Sequence, residues 1–231
     1  MDRKPVITID GPAGAGKSTV SRELARRLAF LYLDTGALYR ALAYGLMLRN
    51  YSGDERELAS LCRDVRVGLE NRDGRLRVFV EGEDVTDKIR DESIGILAST
   101  VSASPVVRGA LLSLQRDIAA DGGIVAEGRD TGTVVFPGAE VKFFLDASVE
   151  ERAERRYREL LGKAQPASLQ EVRRDIILRD RQDRERAVAP LRIPCDAQLV
   201  DTTGKTISQV IDVMMDIIAN AGCCRLRGNR T

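Results

Sequence analysis

The chain has 231 residues, of which 43% are hydrophobic and 31% charged, and its formal net charge is +1. This composition is typical of a globular domain with an ample core, and the charge balance excludes the strong basic excess of a non-specific nucleic-acid binder. The chain contains no histidine, which excludes Ser–His catalysis, phosphohistidine chemistry and histidine metal sites.

Five short apolar runs alternate with helical patterns along the chain. The runs are PVITIDG (5–11), AFLYLDTG (29–36), GIVAEGRD (123–130), VKFFLDA (141–147) and AQLVDTTG (197–204). Helix-period patterns cover 17–28, 38–50, 104–120, 148–161, 168–187 and 206–220. Because runs that are apolar throughout fit strands buried on both faces, the alternation predicts a doubly wound parallel α/β sheet. At the edge where the strands end we expect Asp10, Asp34, Asp130, Asp146 and Asp201.

The most specific local motif lies between the first predicted strand and the first predicted helix. The pattern G-x-x-x-x-G-K-[ST] is matched by Gly11, Pro12, Ala13, Gly14, Ala15, Gly16, Lys17 and Ser18, and Thr19 follows. In such a loop successive backbone N–H groups point at phosphate oxygens, and the helix N-terminus adds partial positive charge. Lys17 would reach the β- and γ-phosphates, and Ser18 would hold Mg²⁺. We therefore expect residues 11–19 to bind a nucleoside triphosphate.

One segment between the second and third predicted strands breaks the alternation. VRVGLENRDGRLRVFVEGEDVT (65–86) alternates apolar and polar residues and has a turn signal at Asp73-Gly74. This pattern predicts a small antiparallel insert on the α/β core. The last residues, 222–231, show no periodicity and are interpreted as a loose tail.

An arginine-rich stretch precedes the last predicted strand. Between residues 150 and 192 arginine is used almost to the exclusion of lysine, which suits planar, bidentate binding of phosphate. On a helix Arg179, Asp183 and Arg186 would share one face. The alternative is a solvated helix paired with itself, but a nucleotide site needs fixed cations, so we interpret Arg179 and Arg186 as functional. Further candidates, which could instead cap a turn or pair with a neighbouring acid, stand just beyond strand ends: Arg40, Arg129 and Asp130.

The fate of the γ-phosphate has several candidate answers. A GTPase switch would normally carry N-K-x-D, which is absent, and the D-x-x-G at Asp201–Gly204 lies at the last predicted strand, too late for a switch element. A hydroxyl acceptor usually needs a base to take its proton. A monophosphate is already mostly dianionic at pH 7 and needs fixed positive charge instead. The composition favours a phosphate acceptor, with a shikimate-type small-molecule kinase and a non-catalytic ATP-binding switch as the alternatives.

These pieces together resemble the nucleoside monophosphate kinases, and within them the bacterial cytidylate kinases. The matching stretches are IDGPAGAGKST, LDTGALYR, the insert ending EGEDVT, ASTVSASPVVR, EGRDTGTVVFP and RDRQDRERAVAPL. The phosphate loop is shared with very many proteins, whereas the last two stretches are far more particular. The resemblance runs from about residue 5 to about residue 218 and leaves out the tail.

The resemblance implies a single P-loop kinase domain in which ATP, with Mg²⁺, phosphorylates CMP or dCMP. The implied fold is a P-loop NTPase-type, doubly wound, five-stranded parallel sheet with a small antiparallel β insert and a helical lid. The implied parts are a core (1–33, 116–149 and 190–221), a monophosphate-binding part (34–115, with the insert at about 63–90), a lid (150–189) and the tail (222–231).

The resemblance also implies roles for individual residues. The CMP phosphate would be approached by Thr35, Arg40 and Arg129, and the cytosine edge by Ser99, Arg108 and Asp130. Arg179 and Asp183 would hold the sugar, Arg186 would lie near the phosphates, and Arg155 with Arg152 would cover the ATP phosphates. The implied catalytic set is Lys17, Arg129, Arg155, Arg179 and Arg186. An aspartate with an arginine suits cytosine, because its N4 donates beside the N3 and O2 acceptors, whereas uracil would present O4 to the carboxylate.

The remaining expectations concern location and partners. No apolar run approaches the ~18 residues of a membrane span, and no signal peptide opens the chain. None of the cysteines has metal-ligand or C-x-x-C spacing, so we expect reduced thiols in the cytoplasm. We expect a monomer whose partners are ATP and CMP or dCMP, with no nucleic acid and no membrane.

Overall fold

The structure, a computed structural model of the chain, describes residues 3–72 and 75–221. The predicted turn at Asp73-Gly74 and the predicted tail at 222–231 therefore lie outside the described residues. Within these ranges the strands are Val6–Asp10 (β1), Leu31–Asp34 (β2), Val67–Arg72 (β3), Arg75–Val80 (β4), Glu83–Asp84 (β5), Ile124–Gly128 (β6), Val141–Asp146 (β7) and Gln198–Asp201 (β8). The α-helices are Lys17–Leu28 (α1), Thr35–Leu48 (α2), Glu55–Asp64 (α3), Glu92–Val101 (α4), Pro105–Asp117 (α5), Val149–Gly162 (α6), Leu169–Glu185 (α7) and Ile207–Asn220 (α8).

A parallel sheet forms the centre of the molecule. Among the described residues it has five strands in the order β2-β6-β1-β7-β8, and each neighbouring pair is parallel. The insert forms a second, antiparallel sheet in the order β3-β4-β5. The predicted doubly wound α/β fold with a small antiparallel insert is therefore confirmed.

Helices cover both faces of the central sheet. In β1, Ile7 and Ile9 point to the face on which α1 and α8 pack, where Leu24 and Met214 are fully buried. Val6 belongs to the opposite cluster, which joins α2 to the insert. Because every residue of β1 is buried, the strand places the loop that follows it at the centre of a rigid sheet.

The pair of α6 and α7 has its own small core. The apolar cluster between these helices consists of Ala153, Val172 and Ile176, with few partly buried neighbours. This cluster is separate from the two clusters on the central sheet. The predicted lid therefore packs mainly on itself.

Several predicted boundaries were wrong for reasons that the structure makes plain. The helix predicted at 38–50 begins at Thr35, because the Asp34 side chain accepts a hydrogen bond from the Ala37 N–H and caps it there. The strand predicted to 130 ends at Gly128 and is followed by a π-helical turn over Thr131–Val135. Helices α3 and α4 were missed, since each has only ten residues and α3 buries little.

The parallel topology brings the predicted strand-end acids to one edge. Asp10, Asp34, Asp146 and Asp201 are the last residues of their strands, and Asp130 follows β6 by two residues. The described cysteines, Cys62 and Cys195, carry no disulfide. Among residues 3–72 and 75–221 no single helix is long and apolar enough to cross a bilayer, and the pair α4–α5 passes only as a unit bent by 104°.

Candidate active site

The phosphate loop runs from the end of β1 into α1. Gly11, Gly14 and Gly16 have φ angles of 150°, 78° and 86°, which L-residues with a side chain rarely adopt. A Cβ on Gly11 would lie 2.0 Å from the carbonyl oxygen of Leu145, so the loop also needs glycine for its close approach to β7. Ser18 at the start of α1 is exposed, and its side chain is open to a ligand at the helix N-terminus. The local geometry is that of an anion-binding loop.

Lys17 is buried inside this loop. Its Nζ donates to the carbonyl oxygen of Pro12 at 2.7 Å. Burial and, to a smaller extent, repulsion from Arg129 lower the pKa of Lys17 to about 7, against the attraction of nearby acids. A bound phosphate would place a negative charge beside the Lys17 ammonium and so favour its protonated form.

Asp10 is a structural residue of the site. One carboxylate oxygen accepts from the Thr131 N–H (2.9 Å) and hydroxyl (2.8 Å), and the other accepts from the Gly132 N–H (2.7 Å). Burial raises the pKa of Asp10 against the effect of these hydrogen bonds. Because it fixes the turn that follows β6, Asp10 determines where Arg129 and Asp130 stand.

Glu127 is a functional candidate that the sequence analysis missed. It is the next-to-last residue of β6 and is 3% exposed. Its Oε1 accepts a short hydrogen bond from the Tyr32 hydroxyl. Its Oε2 is buried and has no hydrogen-bond partner among the described residues. Burial raises its pKa, with repulsion from Asp34, while Lys17 opposes the rise. The available signal was a charged residue inside the apolar run GIVAEGRD.

Residues predicted to approach a monophosphate surround the same edge. The Thr35 hydroxyl donates to the carbonyl oxygen of Glu127 at 2.7 Å, and Arg40 lies 4.0 Å from Asp34 on the first turns of α2. Arg129 pairs with Asp183 of α7 through Nε and Oδ2 at 2.8 Å. Burial would raise the pKa of Asp183, but Arg129 outweighs it and holds that pKa below its usual value. These contacts connect the sheet edge to the predicted lid.

Arg179 is close to Arg129 and Arg40, and we refer to the region that these three arginines border as the arginine cleft. Its side chain is solvent-exposed and has no hydrogen bond or ion pair within 4.0 Å among the described residues. The surrounding protein partly desolvates its guanidinium, and Arg129, Arg40 and Arg156 repel it, which lowers its pKa to about 10. Asp183, which is already paired with Arg129, attracts Arg179 and offsets only part of this effect. An arginine repelled by its neighbours in this way is one that an anionic ligand would stabilise.

Two arginines, buried Arg108 and half-buried Arg186, share the carboxylate of Asp130. Arg108 makes a short ion pair with Oδ2, and Arg186 Nη2 lies 3.3 Å from Oδ1. Arg108 also donates to the carbonyl oxygen of Ser102 (3.0 Å) and stacks 5.4 Å from the centre of the Tyr39 ring. The structure thus brings Arg108, Asp130 and Arg186 together, and the cytosine contacts of Arg108 and Asp130 stay a prediction.

The position of Ser99 leaves its predicted role as a prediction. It lies within α4 and is half-buried, and its hydroxyl makes no hydrogen bond among residues 3–72 and 75–221. Ser104, and not Ser99, occupies the N-cap position before Pro105, and its side chain makes no capping hydrogen bond. No described contact joins Ser99 to Asp130 or Arg108.

The two arginines predicted to cover ATP lie on α6 but differ in environment. Arg155 donates from Nη1 to the Thr202 hydroxyl (2.9 Å) and from Nη2 to the Thr202 carbonyl oxygen (2.7 Å), beside the phosphate loop. A Cβ on Gly16 would lie 3.7 Å from Arg155 Nη1. Arg152 is 2% exposed and fully enclosed by protein groups. Arg155 therefore borders the phosphate loop, and the ATP contacts of Arg155 and Arg152 both stay predictions.

Comparisons with known proteins agree on one family. The profile described as "Cytidylate kinase" matches residues 7–220 of the chain. A cytidylate kinase of Citrifermentans bemidjiense is 49% identical over 210 residues, which cover 90% of both chains. One of Geobacter sulfurreducens is 49% identical over 214 residues, 92% of both chains. One of Geobacillus kaustophilus is 46% identical over 219 residues, 94% of this chain and 98% of the relative.

Proposed function

The chain belongs to the cytidylate kinase family, and we propose that it transfers the γ-phosphoryl group of ATP to CMP or dCMP. The products are ADP and CDP or dCDP, so the reaction belongs to pyrimidine nucleotide metabolism. The observation that carries the proposal is the position of the arginine cleft, which joins the phosphate loop to the Asp130–Arg108 pair through Arg129. A donor anion and an acceptor nucleotide can therefore meet at one sheet edge.

The donor side fits a magnesium complex of ATP. Ser18 is exposed in the first turn of α1. It is close enough to Glu127 to lower the pKa of that carboxyl, whose Oε2 has no hydrogen-bond partner among the described residues. Hard oxygen donors of this kind suit Mg²⁺, so we assign Ser18 as a ligand and Glu127 as a residue that orients its water shell. When bound, Mg²⁺ neutralises phosphate charge. Lys17 and the loop N–H groups hold the β- and γ-phosphates, and Arg155 covers them.

On the acceptor side, the main obstacle is charge repulsion. A CMP phosphate is mostly dianionic at pH 7, so its oxygen can attack without losing a proton to a base. Bringing it to the γ-phosphate requires fixed cations, which Arg40, Arg129 and Arg179 supply in the cleft. These arginines stabilise charge on the transferring group and orient the acceptor in line with the leaving ADP.

The base pocket selects cytosine by hydrogen bonding. Asp130 can accept from the cytosine N4 amine, and Arg108 can donate to its N3 and O2. Uracil presents an acceptor where the amine would be, and the buried carboxylate would then face it without a proton. Arg179 and Asp183 hold the sugar on the same side of the cleft.

An acceptor assay tests the function directly. ADP release is measured with CMP, dCMP, UMP, AMP and buffer alone, at saturating MgATP. We expect turnover with CMP or dCMP to exceed turnover with UMP and AMP by about 10²-fold or more. ADP release in buffer alone at the same rate would favour an ATP-binding switch, and turnover only with a hydroxyl compound such as shikimate would favour a small-molecule kinase. Equal rates with UMP and CMP would remove the cytosine assignment and leave the kinase.

The lid, residues 150–189, closes over both nucleotides. Its own small core and its contacts with the cleft through Asp183 support this assignment. Closure excludes water, which would otherwise compete as the acceptor. We expect limited trypsin digestion within 150–189 to slow at least about fivefold with both nucleotides bound, relative to either one alone. The arginines of the insert are the internal control, and unchanged cleavage in the lid would count against closure.

We further propose that the enzyme is a monomer of the cytoplasm, with small-molecule substrates and no nucleic-acid or membrane partner.

A further inference from the structure

Arg152 joins three segments that are distant in the chain. Its Nε donates to the carbonyl oxygen of Ala147, in the turn after β7, at 3.0 Å. Its Nη1 donates to the carbonyl oxygen of Ala13, inside the phosphate loop, at 3.0 Å. The same nitrogen lies 2.7 Å from Oδ2 of Asp180 on α7. The loop, the base of the lid and the far helix of the lid therefore meet at one guanidinium.

The guanidinium of Arg152 is enclosed by protein groups. The Arg152 side chain is 3% exposed, whereas that of Arg155, one turn along α6, is 26% exposed. A Cβ on Gly14 would lie 2.9 Å from Cβ of Arg152, so the phosphate loop packs directly on its stem. Its charge is balanced by the Asp180 carboxylate, whose side chain is 8% exposed.

Asp180 is the last of the three buried residues on α7. Val172, Ile176 and Asp180 are spaced by four residues and are all buried, and the first two pack on Ala153 of α6. Arg179 is the adjacent residue, and Asp183 follows one turn later. Any rotation or shift of α7 at Asp180 therefore moves the side chains that face the acceptor.

We propose that Arg152 and Asp180 form a tether that positions α7 against the phosphate loop, and that Arg152 is a positioning residue rather than a ligand of the ATP phosphates. The tether holds Arg179 and Asp183 in position on the acceptor side of the site. Arg152 also donates to the carbonyl oxygen of Ala13 in the phosphate loop. A change in the conformation of this loop on ATP binding would therefore shift Arg152, Asp180 and, through them, the residues of α7 on the acceptor side. The role in catalysis rests on the proposed CMP kinase function.

A double-mutant cycle with Arg152→Lys and Asp180→Asn tests the tether. Lysine keeps the charge but cannot reach three acceptors in a planar fork, and asparagine keeps the shape but not the charge. We expect each single variant to raise KM for CMP about tenfold, with the ATP dissociation constant within about twofold of wild type. The double variant is expected to be no worse than either single one, because both remove the same interaction.

The matched controls are Arg173→Lys and Glu150→Gln. This pair joins the same two helices at 3.1 Å, but both side chains are more than half exposed. We expect KM and kcat to stay within about twofold of wild type in these variants, since exposed pairs contribute little. Amide hydrogen exchange of 169–185 supplies a readout without substrate: Asp180→Asn is expected to speed exchange there and not in α8.

Three results would contradict the proposed tether between Arg152 and Asp180. A tenfold weaker ATP affinity in Arg152→Lys that persists in the Asp180→Asn background would make Arg152 a phosphate ligand. Additive effects of the two substitutions would mean that the residues act separately. A lowered Tm with unchanged KM and unchanged exchange in 169–185 would make the pair purely structural. Absence of CMP turnover in the wild type would instead contradict the proposed function, and the hydrogen-exchange result would still test the tether.

Discussion

Arg179→Ala is expected to lower kcat/KM for CMP by about 10³-fold while the ATP dissociation constant changes by no more than about twofold. Arg179 stands in the cleft beside Arg129, where desolvation of its guanidinium and, next, repulsion from Arg129 lower its pKa to about 10. Alanine removes a cation that only the acceptor and the transferring phosphoryl group use, whereas the phosphate loop keeps Lys17. Steady-state kinetics with CMP, together with calorimetric titration of ATP, measure the two quantities separately.

Arg181→Ala is the control for this variant. Arg181 lies on the same helix, is exposed, and pairs with Glu185 one turn away at 2.9 Å. It loses the same charge from α7 and is expected to leave kcat/KM within about twofold of wild type. Normal turnover in Arg179→Ala would mean that Arg179 has no role in the reaction. An equal loss of activity in both variants would mean that the cleft acts through general charge and not through a positioned guanidinium.

The sequence was sufficient to predict the sheet, because its strands are short apolar runs that stop at a charged residue. Each run that ends in Asp10, Asp34 or Asp146 became a strand of the parallel sheet. Parallel strands buried on both faces carry this pattern without reference to the rest of the chain. The phosphate loop was predictable for a similar reason, since its glycines, lysine and serine form one local motif.

The pairings inside the site were not predictable, because they join residues far apart in the chain. Arg129 pairs with Asp183 across 54 positions, and Asp10 accepts from Thr131 across 121 positions. A helical wheel places Arg179, Asp183 and Arg186 on one face but cannot show that Arg186 turns to Asp130. Periodicity also gives no reason to separate Arg152 from Arg155, which sit on the same helix and differ only in what the fold brings against them.

Glu127 shows a second limit of pattern reasoning. The apolar run that contains Glu127 predicts a buried strand, and a single acidic residue near the carboxyl end of such a run indicates only where the strand ends. Burial of the carboxyl and the missing partner of Oε2 become visible only when β2 supplies Tyr32 and α1 supplies Ser18. The significance of the residue depends on three segments that adjoin only after folding.

Asp130→Asn is expected to lower kcat/KM for CMP by about 10³-fold and to reduce the preference for CMP over UMP to less than about tenfold. The carboxylate balances buried Arg108 and half-buried Arg186, and its replacement leaves Arg108 without its counter-charge and Arg186 with only the more distant Asp183. The neutral amide can place its NH₂ group towards the base and so accommodate the O4 of uracil. The same loss is expected to destabilise the fold by about 3–5 kcal/mol, so rates are measured well below the Tm found by circular dichroism.

The two variants serve as controls for each other, since they remove different parts of the same site. Arg179→Ala leaves the Asp130–Arg108 pair intact, so it should slow CMP and UMP alike and keep their ratio. Asp130→Asn should change the ratio even after its loss of stability is allowed for, because an unfolded fraction lowers both rates by the same factor. If the CMP-to-UMP ratio were unchanged in Asp130→Asn, the cytosine edge would be read by other groups, and the buried carboxylate would serve only to hold its two arginines.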